Sequence, residues 1–269
     1  MGIGCMAGDS TSRELAATGT PILARMGLQQ ICSGVWCAEH RQKFGLGFVV
    51  PCRMTVVRLA SGGLWIHSPG PMDEVRAAEI GELGRVEYLV APNLFHHLHL
   101  PAAVERFPEA EVHAAPGLER KRPDVTFAGT LGVAAPWGDE IQPIPIEGMP
   151  TFREVVFVHR PSGSLLVADL LFNLRRRLGP AVMTYLRLTG GYGRVTQSRV
   201  LRLAVRDRPA AAASCLRVLC CPFDRLVPCH GEIVEQGAKR EVEKALSWLL
   251  RDLERPPDAQ SVNVAVPEV

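Results

Sequence analysis

Residues 154–172 read EVVFVHRPSGSLLVADLLF, two nearly unbroken apolar runs around a Pro-Ser-Gly turn. Short β-branched runs split by a turn of this chemistry form a β-hairpin. Neither run alternates polar with apolar, so neither face of the hairpin suits water. A sheet that contains it has to be covered on both sides, by helices or by a second sheet. This requirement points to a layered α/β protein.

The rest of the chain supplies the layers. FGLGFVV and MTVVRLASGGLWIHSPG are two β-rich runs, the second broken by Ser61-Gly62-Gly63 as in a hairpin. Asp73 opens a helical segment, DEVRAAEIGELG, that ends at Gly84. VEYLVAP is a short buried strand, PAAVERFP a helix, EVHAAP a strand and LERKRP a short helix stopped by Pro123. Prolines inside EIQPIPIEG place that strand at a sheet edge, where a missing N–H costs no ladder bond. From Ala181 to Cys221 the pattern is helical, and FDRLVP is a last strand. Val242, Ala245, Leu246, Leu249, Leu250 and Leu253 then share one face of a final helix. The expected organisation is an N-terminal arm at 1–34, partly disordered, a domain at 35–255 and a C-terminal tail at 256–269.

Composition narrows the function classes. Charged residues make up 22% of the 269 and the formal net charge is +2, so neither nucleic acid nor an anionic membrane is an expected partner. No run is apolar for long enough to span a bilayer. Gly2 alone matches a myristoylation signal, since Met6 stands where Ser or Thr is needed, and the charged-then-apolar order of a signal peptide is missing. The eight cysteines form no Cys-x-x-Cys pair, so reduced thiols in the cytoplasm are expected.

Chemistry-bearing residues collect where apolar strands end. APNLFHHLHL places Asn93, His96, His97 and His99 just after one strand. Asp169 ends the second strand of the hairpin, and Cys229-His230-Gly231 follows the last strand. Ser68 after LWIH is a weaker member of the set. Strand ends of a layered α/β domain converge on one rim, where ligands bind. Imidazole and carboxylate are the donors of zinc and similar ions.

The order of these segments resembles the metallo-β-lactamase superfamily. In that fold a strand leads to a His-x-His-x-Asp-His loop and a helix, a hairpin strand ends in Asp, and a last strand ends in a His-bearing turn before the terminal helix. LLVADLLF resembles the Asp-bearing strand end, LVPCHGEIV the His-bearing turn, and LPAAVERFPEAEVHA the helix and strand after the loop. GLGFVVPCRMTVVRLASGGLWIHSPGP, APNLFHHLHL, RKRPD and ADLLFNL together resemble an uncharacterised bacterial group within it, domain-of-unknown-function family 4336. The resemblance implies a four-layer α/β/β/α sandwich over Trp36 to Leu253.

It also implies losses. Counting back from ERFP, the loop positions fall on Ala91, Asn93, Phe95 and His96, or one residue later with His97 last. The histidine before the hairpin falls near Pro150. His96 or His97, Asp169 and His230 keep a ligand type, with Asn93 as a weak oxygen donor. This implies one ion, zinc or iron, and not a dinuclear pair. Phe95 cannot handle protons, so His97, His99 or Asp169 would have to.

Each residue has a plainer reading beside the functional one. The histidines could bond backbone carbonyls, Asp169 could cap a turn, and His230 could pack on the sheet rim. Arg175 and Arg176, with Arg177, could clamp an anionic substrate or form a solvated face. Cys229 reads as a buried thiol. His67, His113 and His159 read as structural, and Gly190-Gly191-Tyr192-Gly193 as a turn. Two functions follow: a mononuclear metal-dependent hydrolase of an ester, lactone, thioester or phosphoester, with Asp169 and His97 catalytic and His99, Arg175 and Arg176 against the substrate; or a non-catalytic small-ligand-binding protein that has lost the metal. Oligomeric state is not legible.

Overall fold

The computed structural model describes residues 27–43, 48–132 and 135–251. Seven strands form the first sheet in chain order: β1 (Gln29–Cys32), β2 (Val35–Lys43), β3 (Val49–Arg58), β4 (Leu64–His67), β5 (Val86–Ala91), β6 (Glu111–Ala114) and β7 (Gly129–Thr130). β1 to β4 pair antiparallel, and β4 to β7 pair parallel. The second sheet has the order β11-β10-β9-β8, from β8 (Ile141–Pro145), β9 (Val155–His159), β10 (Ser164–Val167) and β11 (Arg225–Pro228). β8 is an edge strand, as its prolines require.

Side-chain alternation along the hairpin explains the layers. Val155 and Phe157 of β9 point to one side, with Leu166 of β10, and Val156 and Val158 point to the other, with Leu165 and Val167. The first set meets Val35, Val57, Trp65 and Val90 of the first sheet, forming an inter-sheet core in which the Trp65 and Phe157 rings cross edge to face at 5.0 Å. The second set meets α5 (Arg208–Cys220) and α6 (Ala238–Leu250) through Ala211, Cys215, Val242 and Leu246. On the far side of the first sheet, α1 (Glu74–Gly81) and α2 (Leu100–Arg106) bury Ile80, Leu100 and Ala103 against Met54, Val56 and Ile66. The layers therefore run helix, sheet, sheet, helix, which is the expected sandwich. Phe157 has no solvent exposure, and truncating it to Ala would cost about 3–5 kcal/mol.

Local chemistry sets the helix starts. Asp73 caps α1 by accepting from the Arg76 N–H at 2.8 Å. LERKRP supplies only a 3-10 turn at Leu118–Arg120. Two further helices, α3 (Pro180–Thr189) and α4 (Arg199–Leu203), lie with α5 in the long crossover from β10 to β11. No helix among the described residues is long and apolar enough to cross a membrane. Most of the expected arm and the whole C-terminal tail lie outside the described residues. The described end of the arm is not a loose segment: Gln29–Cys32 is β1, paired with β2, so the sheet begins before the boundary drawn at 35.

Candidate functional site

Parallel strand registers bring the donors together. Val167 of β10 pairs with Pro228 of β11, and Asp169 and His230 each follow two residues later, so they emerge side by side. His67 of β4 pairs with Val90 of β5, which places Ser68 beside the loop that carries His96. Ser68 has φ 53, in the left-handed region that a side-chain-bearing residue rarely adopts. Its hydroxyl meets His96 Nδ1 at 2.6 Å.

His96 Nε2 thereby faces His230 Nε2 at 3.2 Å. Asp169 lies against both rings, Oδ2 at 3.5 Å from His96 Nε2 and Oδ1 at 3.3 Å from His230 Nε2. His230 Nδ1 stands 2.9 Å from the Pro51 carbonyl, which can only accept, so Nδ1 donates and Nε2 is the ring atom left facing the cluster. Cys52, on β3, completes the group: its Sγ and the ligand nitrogens of His96 and His230 all lie within 4.8 Å of one another.

This donor set fits one metal ion. Two Nε2 atoms 3.2 Å apart, flanked by a carboxylate, need a shared proton or a metal ion between them. Donors around a tetrahedral zinc stand roughly 3.3 Å apart; the three separations among His96, His230 and Asp169 are 3.2, 3.3 and 3.5 Å. Two imidazole nitrogens and a thiol, the three donors that all lie within 4.8 Å of one another, suit zinc or iron and not magnesium. Protons answer the same charge imbalance. Burial opposes charge on His96, yet Cys229, Asp169 and Cys52 hold it well above the ordinary imidazole range. Burial would raise Asp169, but His96 and His230 hold its carboxyl well below the usual carboxylate range. Cys52 is lowered well below an ordinary thiol, because His96 outweighs its burial with help from His40 and His230.

The surrounding residues lock this geometry. Asn93 Oδ1 accepts from the N–H groups of Phe95 and His96, at 2.9 and 2.8 Å, and its Nδ2 donates to Asp169 Oδ2 at 2.7 Å. Both carboxylate oxygens of Glu154 accept backbone N–H groups, from Ala168 and Asp169, at 2.8 Å each. Burial and the neighbouring Asp169 push Glu154 up to about 7. Buried Arg53 reaches from β3 to the His230 turn, donating to the Pro228 carbonyl, to the Gly231 carbonyl at 2.6 Å and to Glu39 at 2.5 Å. Gly231 has φ 100, and a Cβ there would lie 2.1 Å from the Asn173 carbonyl oxygen, so only glycine fits.

Residues 33–189 match the family described as a domain of unknown function, DUF4336. The chain belongs to the DUF4336 family. A comparison with curated protein sequences finds no match. Among solved structures, the chain is similar to a metallo-beta-lactamase from Pontibacter korlensis, with TM-score 0.57 at 18% identity, covering 83% of this chain and 98% of that one. It is similar to the metallo-beta-lactamase FIM-1 from Pseudomonas aeruginosa in its mono-zinc form, with TM-score 0.57 at 14% identity, covering 86% of this chain and 96% of that one. The Flv1 flavodiiron core from Synechocystis sp. PCC6803 matches at TM-score 0.56 and 13% identity, covering 83% of this chain and 60% of that one. At these identities the likeness establishes the fold: this DUF4336 protein has the metallo-β-lactamase fold.

The remaining expected residues of the DUF4336 chain divide sharply. Of the adjacent histidines, His96 enters the cluster. His97 lines the cavity above it, and burial, Arg122 and Lys121 hold it below the ordinary imidazole range. His99 also lines the cavity, 3.0 Å from Gln42 Oε1 and edge-on to His40. Asn93 Oδ1 is taken by two backbone N–H groups. Arg175 Nε donates to Asn173 Oδ1, Arg176 bonds Glu39 and Glu232, and neither is among the described residues that line the cavity. Phe95 packs on Phe152 with ring centroids 4.9 Å apart. The sequence reading missed Cys52, Arg53 and Glu154, and it made little of Ser68. A thiol and an arginine inside an apolar strand, VVPCRMTVV, are the signal that was present.

Proposed function

We propose that this DUF4336 protein is a hydrolase that works with one metal ion, zinc or iron, held by His96, Asp169 and His230 with Cys52 as a soft further donor. The observation that carries the reading is the convergence of the two Nε2 atoms and the Asp169 carboxylate, within 3.2 to 3.5 Å of one another across three chain segments. Such an ion would polarise a carbonyl or phosphoryl oxygen and acidify water at neutral pH.

The chain's own residues do the rest. Ser68 and the Pro51 carbonyl fix the two rings so that both Nε2 atoms face inward. Asn93 steadies the Asp169 carboxylate and leaves its other oxygen toward His230. His97, neutral and on the cavity wall, is in the protonation state of a general base and takes the role that Phe95 cannot. Phe172 packs edge-on against the His230 ring at 5.1 Å and shields it from water. The substrate is a small ester, lactone, thioester or phosphoester.

Metal analysis of protein purified without chelator tests the reading. About one zinc or iron per chain is expected, lost in His230→Ala. A content near zero, unchanged by added zinc, would overturn it. Phe95 favours a second reading, a small-ligand-binding protein without catalysis; hydrolysis of any ester in a panel, abolished by His230→Ala, would exclude it.

A further inference from the structure

The cavity over the cluster has a volume of about 370 Å³, with the cluster at one end. Asp169, His96, His230, Cys52 and Ser68 supply that end, with His40, Gln42 and His99 beside it. The rest of the lining is mostly apolar, with His97, Tyr185 and Ser198 as its polar members. Phe152 and Phe172 belong to it, and the crossover from β10 to β11 contributes Leu174, Val182, Leu186 and Leu201. Leu174, Val182 and Leu186 form an apolar cluster of their own, separate from the three layers of the sandwich core. The crossover therefore builds a wall for the cavity as well as linking two strands.

Two further observations concern charge and exposure. No lysine or arginine is among the described residues that line the cavity, and Arg175 and Arg176 are engaged elsewhere. A phosphate or carboxylate on a ligand would find no guanidinium or ammonium group in the lining itself. At the mouth, Phe95, Leu98, Tyr185 and Val200 line the cavity and yet remain exposed, at 39%, 52%, 38% and 47%. Apolar side chains left in water around an apolar hollow mark a binding surface for apolar matter.

We propose that this cavity binds the hydrocarbon chain of an uncharged acyl ester or thioester and seats its carbonyl at the Asp169 end. The seating of the carbonyl rests on the hydrolase reading above; the binding of the chain does not. The geometry favours acyl compounds over phosphoesters, because the site offers a mostly apolar wall and no guanidinium in its lining.

Two measurements on the full chain separate the claims. In the first, the neutral fluorophore N-phenyl-1-naphthylamine is titrated into the protein and displaced with methyl decanoate. Saturable binding is expected, displaced by the ester, and weakened at least tenfold both in Val200→Glu at the exposed rim and in Leu186→Trp within the wall. Val200→Glu guards against misfolding, since Val200 is half-exposed. No saturable binding, or binding that neither variant changes, overturns the proposal. In the second, p-nitrophenyl esters from acetate to decanoate are compared. Each methylene buried is worth about fourfold in binding, so kcat/KM should rise at least tenfold from the two-carbon to the eight-carbon ester. Probe binding without any hydrolysis by metal-loaded protein leaves the apolar-ligand proposal standing and removes the hydrolase reading. Hydrolysis with no chain-length gain and no probe binding removes the proposal and keeps the hydrolase.

Discussion

Two turns carry the histidines of the candidate centre, and they are built differently. The Pro228–Gly231 turn follows a strand whose register is fixed by β10. Buried Arg53 grips two of its carbonyls, and a glycine at φ 100 closes it. The loop after β5 rests mainly on one amide, Asn93, which turns the chain so that His96 enters while His97 and His99 go to the cavity wall. In the first turn the ligand position is held by the sheet and can hardly drift. In the second, one imidazole reaches the cluster, while Phe95 packs on Phe152. A ligand on the loop depends on one amide, whereas a ligand on the sheet-locked turn is tied to residues the sheet needs.

Mutations sharpen this contrast. His230→Ala should have the largest effect: metal content falls from about one ion per chain to near zero, read by elemental analysis, while His97→Ala leaves it unchanged. Loss of metal in both variants would break the assignment of His96 over His97. Arg53→Met should come next. It strands the Pro228 and Gly231 carbonyls in the interior, while Glu39 keeps Arg176, and unfolding in guanidinium should show a loss of about 2–5 kcal/mol. Asn93→Ala removes the partner of two loop N–H groups. Its stability cost should be smaller, about 1–2 kcal/mol, while metal affinity, measured by chelator competition, falls roughly 10–100-fold. A stability loss as large as that of Arg53→Met would mean that the two turns are held alike. Cys52→Ser should be the mildest, with roughly tenfold weaker zinc binding and an unchanged denaturation midpoint, since the swap keeps the size of the group while weakening the donor.

The layered fold was legible because it depends on local pattern. The apolar runs at Val155–His159 and Ser164–Val167 announce strands buried on both faces, and the prolines of β8 announce an edge. Asp169 and His230 stand just after apolar strands, as the local pattern places them. Cys52, Arg53 and Glu154 were not legible. Each lies within or against a strand, and its role depends on a segment elsewhere in the chain, such as Arg53 meeting Pro228 and Gly231. The ion-pair partners of Arg176, Glu39 and Glu232, are far from it in sequence, so local pattern does not show them.

The sequence by itself determined the order of strands and helices, the covered hairpin, and the ends at which donors stand, since side-chain periodicity and turn chemistry act over a few residues. Only the tertiary structure decided which of two adjacent histidines faces Asp169, that a thiol from β3 joins them, and that the arginines turn away from the cavity. Those outcomes depend on ring and guanidinium directions, set by contacts between segments that local pattern cannot bring together.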